Sequence, residues 1–160
     1  MNYFKDTMSR SVELDDLDWL IIRELAHDSR QSLRKLAKKI GVSVNTISAR
    51  IRQLEKKGII KKYTIVVDYE KLGFDLTAII EVSILKGRLM KVEEDIARLP
   101  GVCAVYDVTG LTDAMVIARV RNRRELNKLV KTILAMDYVD RTNTHVVLNT
   151  VKESFESVLY

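Results

Sequence analysis

At Gly58 the spacing of apolar residues changes, and this constrains the fold more than any other feature of the chain. Before it, hydrophobic side chains recur every three or four residues. After it, they recur nearly every second residue, interrupted by two further helical stretches. No single element type satisfies both periods, so the 160 residues must divide into a helical part and a mixed part.

In the first part Leu17, Leu20, Ile21 and Leu25 stand at helical spacing behind Asp15, Asp16 and Asp18. Those carboxylates suit the positive end of a helix, so a helix is expected over about 15–27. Ser32 can cap a second helix, whose Leu33, Leu36, Ala37 and Ile40 form one stripe, and Gly41 ends it. Only Val42 precedes Ser43, the expected cap of a third helix over about 44–57. Its buried stripe would be Val44, Ile47, Ile51 and Leu54, with Gly58 as the stop. Two helices joined by so short a turn make a helix-turn-helix.

On a helical wheel the third helix turns Asn45, Ala49, Arg52 and Lys56 away from its apolar stripe, flanked by Thr46, Gln53 and Lys57. Short polar residues lie toward the N-terminal end and long cations toward the C-terminal end. A helix entering a major groove needs this order: small side chains permit approach to base edges, and Arg and Lys reach the phosphates. Net charge sharpens the reading. Residues 1–62 carry 14 basic and 8 acidic residues, and residues 63–160 carry 13 and 14. Within residues 30–62 there are 11 basic residues and a single acid, Glu55. Arg34, Lys35, Lys38 and Lys39 precede the third helix, and Lys61 and Lys62 follow it. A Lys/Arg-rich helix can be merely a solvated face, but the placement of these charges favours duplex DNA, bound with strong salt dependence.

Beyond Gly58, Ile59 to Val67 reads as a strand, and Asp68 to Asp75 as a linker turning at Gly73. The pattern then runs β (about 76–86), α (about 89–99), β (about 102–109), β (about 113–121), α (about 123–136), β (about 141–151). Two βαβ units in tandem predict a ferredoxin-like sheet with both helices on one face. Leu76-Thr77 and Leu111-Thr112 hint at an internal repeat. Cys103, in the apolar run Val102 to Val105, is expected to be an inert core thiol. One cysteine excludes an internal disulfide and multi-cysteine zinc modules, and His27 and His145 fall in different parts, so no metal site is expected. No apolar run approaches the roughly 18–20 residues of a membrane span. Residues 1–12 read as a flexible tail rather than a targeting signal, and Tyr3, Phe4, Phe155 and Tyr160 have no assigned role. A cytoplasmic location is expected.

Several short signatures occur in order. They are Leu14-Asp15-Asp16-Leu17-Asp18, Leu33-Arg34-Lys35-Leu36-Ala37, Gly41-Val42-Ser43 with Thr46-Ile47 and Arg50-Ile51, and Leu54 through Lys61. In the second part they are Pro100-Gly101-Val102, Thr109-Gly110 with Asp113, Thr142-Asn143-Thr144 and Val146-Val147-Leu148. From about Glu13 to Lys152 the chain resembles the Lrp/AsnC family, the leucine-responsive or feast/famine transcription regulators.

The resemblance implies an α+β chain. A winged-type helix-turn-helix DNA-binding domain (13–62) would be joined by a strand linker (63–75) to a ferredoxin-like βαββαβ domain, called RAM (76–160), which binds a ligand and drives oligomerisation. It implies DNA contacts from Arg34, Lys35, Ser43, Asn45, Thr46, Ser48, Ala49, Arg50, Arg52, Gln53 and Lys56. Arg50, off the centre of the exposed face, is assigned phosphate or structural work. It implies dimers that assemble further, to tetramers or octamers. It also implies an amino-acid effector, rather than a cofactor, held between subunits at Gly110-Leu111-Thr112-Asp113, with Thr142 and Thr144 at the side-chain end.

Backbone N–H groups in a glycine turn can hold a carboxylate, and Asp113 can take an ammonium group. Many relatives carry an acid directly after the glycine, where this chain has Leu111. Read without the family, Gly-x-x-Asp is an ordinary hairpin turn and strand threonines are ordinary. No catalytic residue is expected. Two alternatives are a siroheme-decarboxylase-like enzyme on the same architecture, for which His145 alone would have to serve, and an RNA-binding sheet, for which the central strands offer only Tyr106.

Overall fold

A computed structural model describes residues 13–85 and 87–159. The expectations for residues 1–12, Tyr3 and Phe4 among them, and for Tyr160 lie outside the described residues. The chain divides into two compact units, one up to Val66 together with the segment from Ser154 onward, the other Val67–Glu153.

The first unit is built on α1 (Asp16–His27), α2 (Leu33–Ile40) and α3 (Val44–Lys56). Each starts where a short polar side chain satisfies an otherwise unpaired backbone N–H. Asp15 Oδ1 accepts from Asp18 N at 2.9 Å, Ser32 Oγ from Lys35 N at 3.2 Å, and Ser43 Oγ from Thr46 N at 3.0 Å. Gly41 closes α2 at φ +86°, a left-handed conformation that costs a side-chain-bearing residue about 1–2 kcal/mol. Ile21, Leu36, Ala37, Ile47, Ile51 and Leu54 form the core.

Three expected core residues are exposed instead. Leu33 and Val44 occupy the first position of their helices, where the Cα–Cβ bond tilts toward the N-terminus and carries the side chain past the packed turn. Leu20 faces the other way from Ile21, beside Trp19, and lines a surface hollow with Val158 and Leu159 of a 3-10 turn (Glu156–Leu159). Arg23 Nε donates to Leu159 O at 2.7 Å, which ties this segment to α1. The segment from Ser154 on thus groups in space with the first unit.

The second unit contains β1 (Leu76–Ile84), α4 (Leu89–Ala97), β2 (Val102–Asp107), β3 (Ala114–Val120), α5 (Arg123–Leu134) and β4 (Val139–Val146). The sheet is fully antiparallel in the order β2-β3-β1-β4, the expected βαββαβ arrangement. Alternate residues of the central strands (Ala78, Ile80, Val82 and Ile84; Ala114, Val116, Ala118 and Val120) pack beneath Val92 and Ile96 of α4 and Leu126, Leu129 and Ile133 of α5. Both helices thus cover one face. The other face carries Ile79, Glu81, Met115 and Ile117, with Asn143 and His145 opposite Glu81 and Ile79 on β4. Gly101, at φ +86°, has no room for a side chain, since a Cβ there would stand 2.9 Å from Arg119 O.

Four expectations need correction. Residues 61–68 form no strand: a strand needs a neighbour for its backbone groups, no described segment pairs with it, and Ile65 and Val66 stand exposed. β4 starts earlier and stops at Val146 rather than continuing to 151, because its partner β1 begins at Leu76; Val147 N to Thr77 O, at 2.9 Å, is the last bond between them. Leu111-Thr112 lies in the β2–β3 turn and not in a strand, which removes the hint of a repeat. Cys103 is exposed, because edge strand β2 turns it away from the helices next to a register shift between Val102 and Ala104.

Candidate nucleic-acid interface and effector turn

On α3 the burial of Ile47, Ile51 and Leu54 leaves Asn45, Ala49, Arg52, Gln53 and Lys56 exposed along a helix about 20 Å long. The remaining polar residues of this region have intramolecular partners. Ser43 and Thr46 cap the helix, with their hydroxyls 2.9 Å apart. Arg52 Nη2 donates to Ser48 Oγ at 2.8 Å, one turn back, which lays the guanidinium along the exposed face. Arg50 is held at 2.5 Å from Asp15 Oδ2 and 3.2 Å from Asp18 Oδ1, clamping α3 to the start of α1. The carboxyl of Asp15 is held below its ordinary value, first by the Asp18 N–H and then by Arg50, and the Arg50 guanidinium is pushed up by the carboxylates of Asp15 and then Asp18.

On α2, Arg34 and Lys35 are exposed. Lys35 stands 3.9 Å from Asp28 and Lys39 2.6 Å from Glu24, so α1 neutralises part of the basic stretch. Arg34, Lys38, Lys56, Lys57, Lys61 and Lys62 form no ion pair among the described residues. Glu55, the one acid within the stretch, accepts from Tyr63 Oη at 2.9 Å. Burial, with the Glu55 carboxylate behind it, pushes the Tyr63 phenol up to about 12.

Sequence reasoning missed Asp18. It is 5% exposed, the one charged residue among the fully buried described positions. The signal was present: Asp18 lies four residues after Leu14 and three before Ile21, inside the apolar stripe, where an acid must find a partner.

In the second unit the β2–β3 turn and β4 flank the same stretch of β1. Thr112 Oγ1 donates to Val82 O at 3.3 Å and to Ala114 O at 3.0 Å, and Asp113 N donates to Val82 O at 3.1 Å. Asp113 Oδ2 accepts from Ile84 N at 2.7 Å, so one carboxylate oxygen is already engaged. From the other side Thr142 pairs with Val82 and Thr144 with Ile80, roughly 10 Å across two strand spacings. Gly110 has φ +133°, and Leu111 at the turn tip is almost wholly exposed.

A second group escaped the sequence reading. Glu93 of α4 has a buried Oε1 without a hydrogen-bond partner, and its carboxyl is raised by burial and by the charges of Asp107 and Asp113. Three carboxylates therefore concentrate negative potential beside the turn. No spacing pattern marks Glu93, which stands in an ordinary run of three acids. Among the described residues no cluster of His, Cys, Asp and Glu could hold a metal, and no helix is long and apolar enough to cross a membrane.

Residues 77–157 match the family model for the Lrp/AsnC ligand binding domain, and residues 14–61 that for a winged helix-turn-helix DNA-binding domain. The chain is 48% identical over 144 residues to an uncharacterized HTH-type transcriptional regulator of Pyrococcus furiosus, covering 90% of this chain and 97% of the relative. The structure of LrpC from B. subtilis superimposes with a TM-score of 0.79 at 31% identity, covering 89% of this chain and all of LrpC. The feast or famine regulatory protein from M. tuberculosis, solved in complex with L-methionine, gives a TM-score of 0.80 at 31% identity, covering 89% and 97%.

Proposed function

The chain belongs to the Lrp/AsnC family of DNA-binding transcription regulators, and from that membership we propose how it reads DNA and what it senses. It is a regulator and not an enzyme. α3 lies in the major groove, with Asn45, Ala49, Arg52 and Gln53 toward the bases and Lys56 toward phosphate. Ser43, Thr46 and Ser48 place these groups, Arg34 and Lys35 of α2 meet the flanking backbone, and Arg50 holds the helix in position. The observation that carries this reading is the division on α3 between a buried apolar stripe and an exposed face whose cations lack intramolecular ion pairs.

A second copy covers the open sheet face around Ile79, Met115 and Ile117, so each assembly presents two recognition helices to half-sites about one helical turn apart. The effector is an amino acid at Gly110–Asp113. The turn's N–H groups take its carboxylate, and the negative potential of Asp113, Asp107 and Glu93 attracts its ammonium. Thr142 and Thr144 border its side chain. Support comes from the ligand-domain match and from the L-methionine complex of the M. tuberculosis relative.

Selecting duplexes from a random pool with the full chain, with and without an amino-acid mixture, tests both halves. Enrichment of a near-palindrome whose recovery shifts with the amino acids is the expected result. An unenriched pool would remove the DNA reading, and enrichment indifferent to every amino acid would remove the effector.

A further inference from the structure

The two helices that cover the sheet treat their cations differently. On α4, Lys91 lies 2.9 Å from Asp95, and Arg98 just beyond the helix lies 3.0 Å from Asp95 and 3.6 Å from Glu94, so the positive charge there is answered locally. α5 carries Arg123, Arg124, Lys128 and Lys131, all exposed, and none forms an ion pair among the described residues. Its only acid, Glu125, is occupied at the helix start. Glu125 Oε2 accepts from Arg121 N at 2.9 Å, while Glu125 N donates to Oδ1 of the capping residue Asn122 at 3.1 Å.

The buried residues Leu126, Leu129 and Ile133 point to one side of α5, and Arg124, Lys128 and Lys131 recur at i, i+4 and i+7 on the opposite side. The result is a row of cations about 10 Å long with no carboxylate in it. Four like charges on one helix repel one another, and neither the apolar core beneath nor the helix cap answers them.

We infer that the outer face of α5 is a second DNA-contacting surface, binding the phosphate backbone of the duplex outside the stretch that α3 reads. Resting on the DNA reading of α3, duplex DNA is the partner this face fits, because it offers a dense row of phosphates to a row of cations that holds no carboxylate. Phosphate contact demands no base-reading side chains, and α5 presents none, only cations with Asn127 among them.

The test compares the full chain with the Arg124→Gln/Lys128→Gln/Lys131→Gln variant, which keeps good helix formers on a solvent face. Affinity is measured against salt on a random-sequence duplex of about 25 bp, enough for two half-sites, and on one of about 150 bp. The variant is expected to match the parent on the short duplex. On the long one its plot of log affinity against log salt should be shallower by about 2–3, at about 0.9 per phosphate released. Identical slopes on the long duplex would overturn the proposal, as would a variant whose sedimentation shows a different assembly state, which would make α5 a contact between copies. An Arg52→Ala/Lys56→Ala variant, weakened on both lengths, separates failure of α3 from failure of α5.

Discussion

Arg50 and Arg52 stand two positions apart on α3, yet roughly 200° of helical rotation divides their chemistry. One is drawn inward to Asp15 and the buried Asp18; the other lies on the surface, steadied by Ser48. Helix position alone separates a clamp from a candidate reader. The same local logic makes Glu93 a testable liability. Its folded-state pKa is raised, so the native protein holds that proton more tightly than the unfolded chain. The associated stability is fully present below the ordinary glutamate value and is lost as pH rises through the raised one. Glu93→Gln is therefore expected to raise the melting temperature at pH 7 by a few degrees, with the gain vanishing as pH falls below the ordinary glutamate range. Thermal melts across that range, without amino acids, check both the sign and the window.

At the scale of elements, caps define the helices more sharply than the apolar stripes do. Ser43 satisfies the N–H of Thr46 and also meets its hydroxyl, so the start of α3 rests on one side chain. Ser43→Ala is expected to cost about 1 kcal/mol of stability. It should also weaken DNA binding without altering the salt slope, because no cation is lost. A steeper or shallower slope would mean that Ser43 touches DNA through something other than the cap. The linker shows the opposite behaviour. Ile59 to Val67 has strand-forming residues in near alternation, but among the described residues no strand pairs with residues 61–68, which remain irregular. Propensity describes what a segment can pair with; only a neighbour makes it a strand.

At the scale of the whole molecule, the described residues form two hydrophobic cores with no shared residue. Ile47, fully buried in the first, and Ile80, fully buried in the second, should therefore report on separate units. Ile47→Ala is expected to destabilise the helical unit by about 2–5 kcal/mol. Amide hydrogen exchange should then accelerate in α1–α3 while β1 and β3 keep their protection. Equal loss of protection in both units would show that they unfold together.

The linear chain by itself determined most of this architecture. Helix starts at Asp15, Ser32 and Ser43, the stop at Gly41, the change of period after Gly58 and the exposed face of α3 all depend on neighbours within a few residues. Short-range sterics and hydrogen bonding decide such features before any tertiary contact exists. Tertiary structure alone decided what depends on distant partners. It buried Asp18 against Arg50, turned Cys103 outward on an edge strand, ended β4 beside the start of β1, and brought Glu93 close enough to Asp107 and Asp113 to feel their charge. Those outcomes follow from which surfaces meet across dozens of residues, and local periodicity carries no information about that.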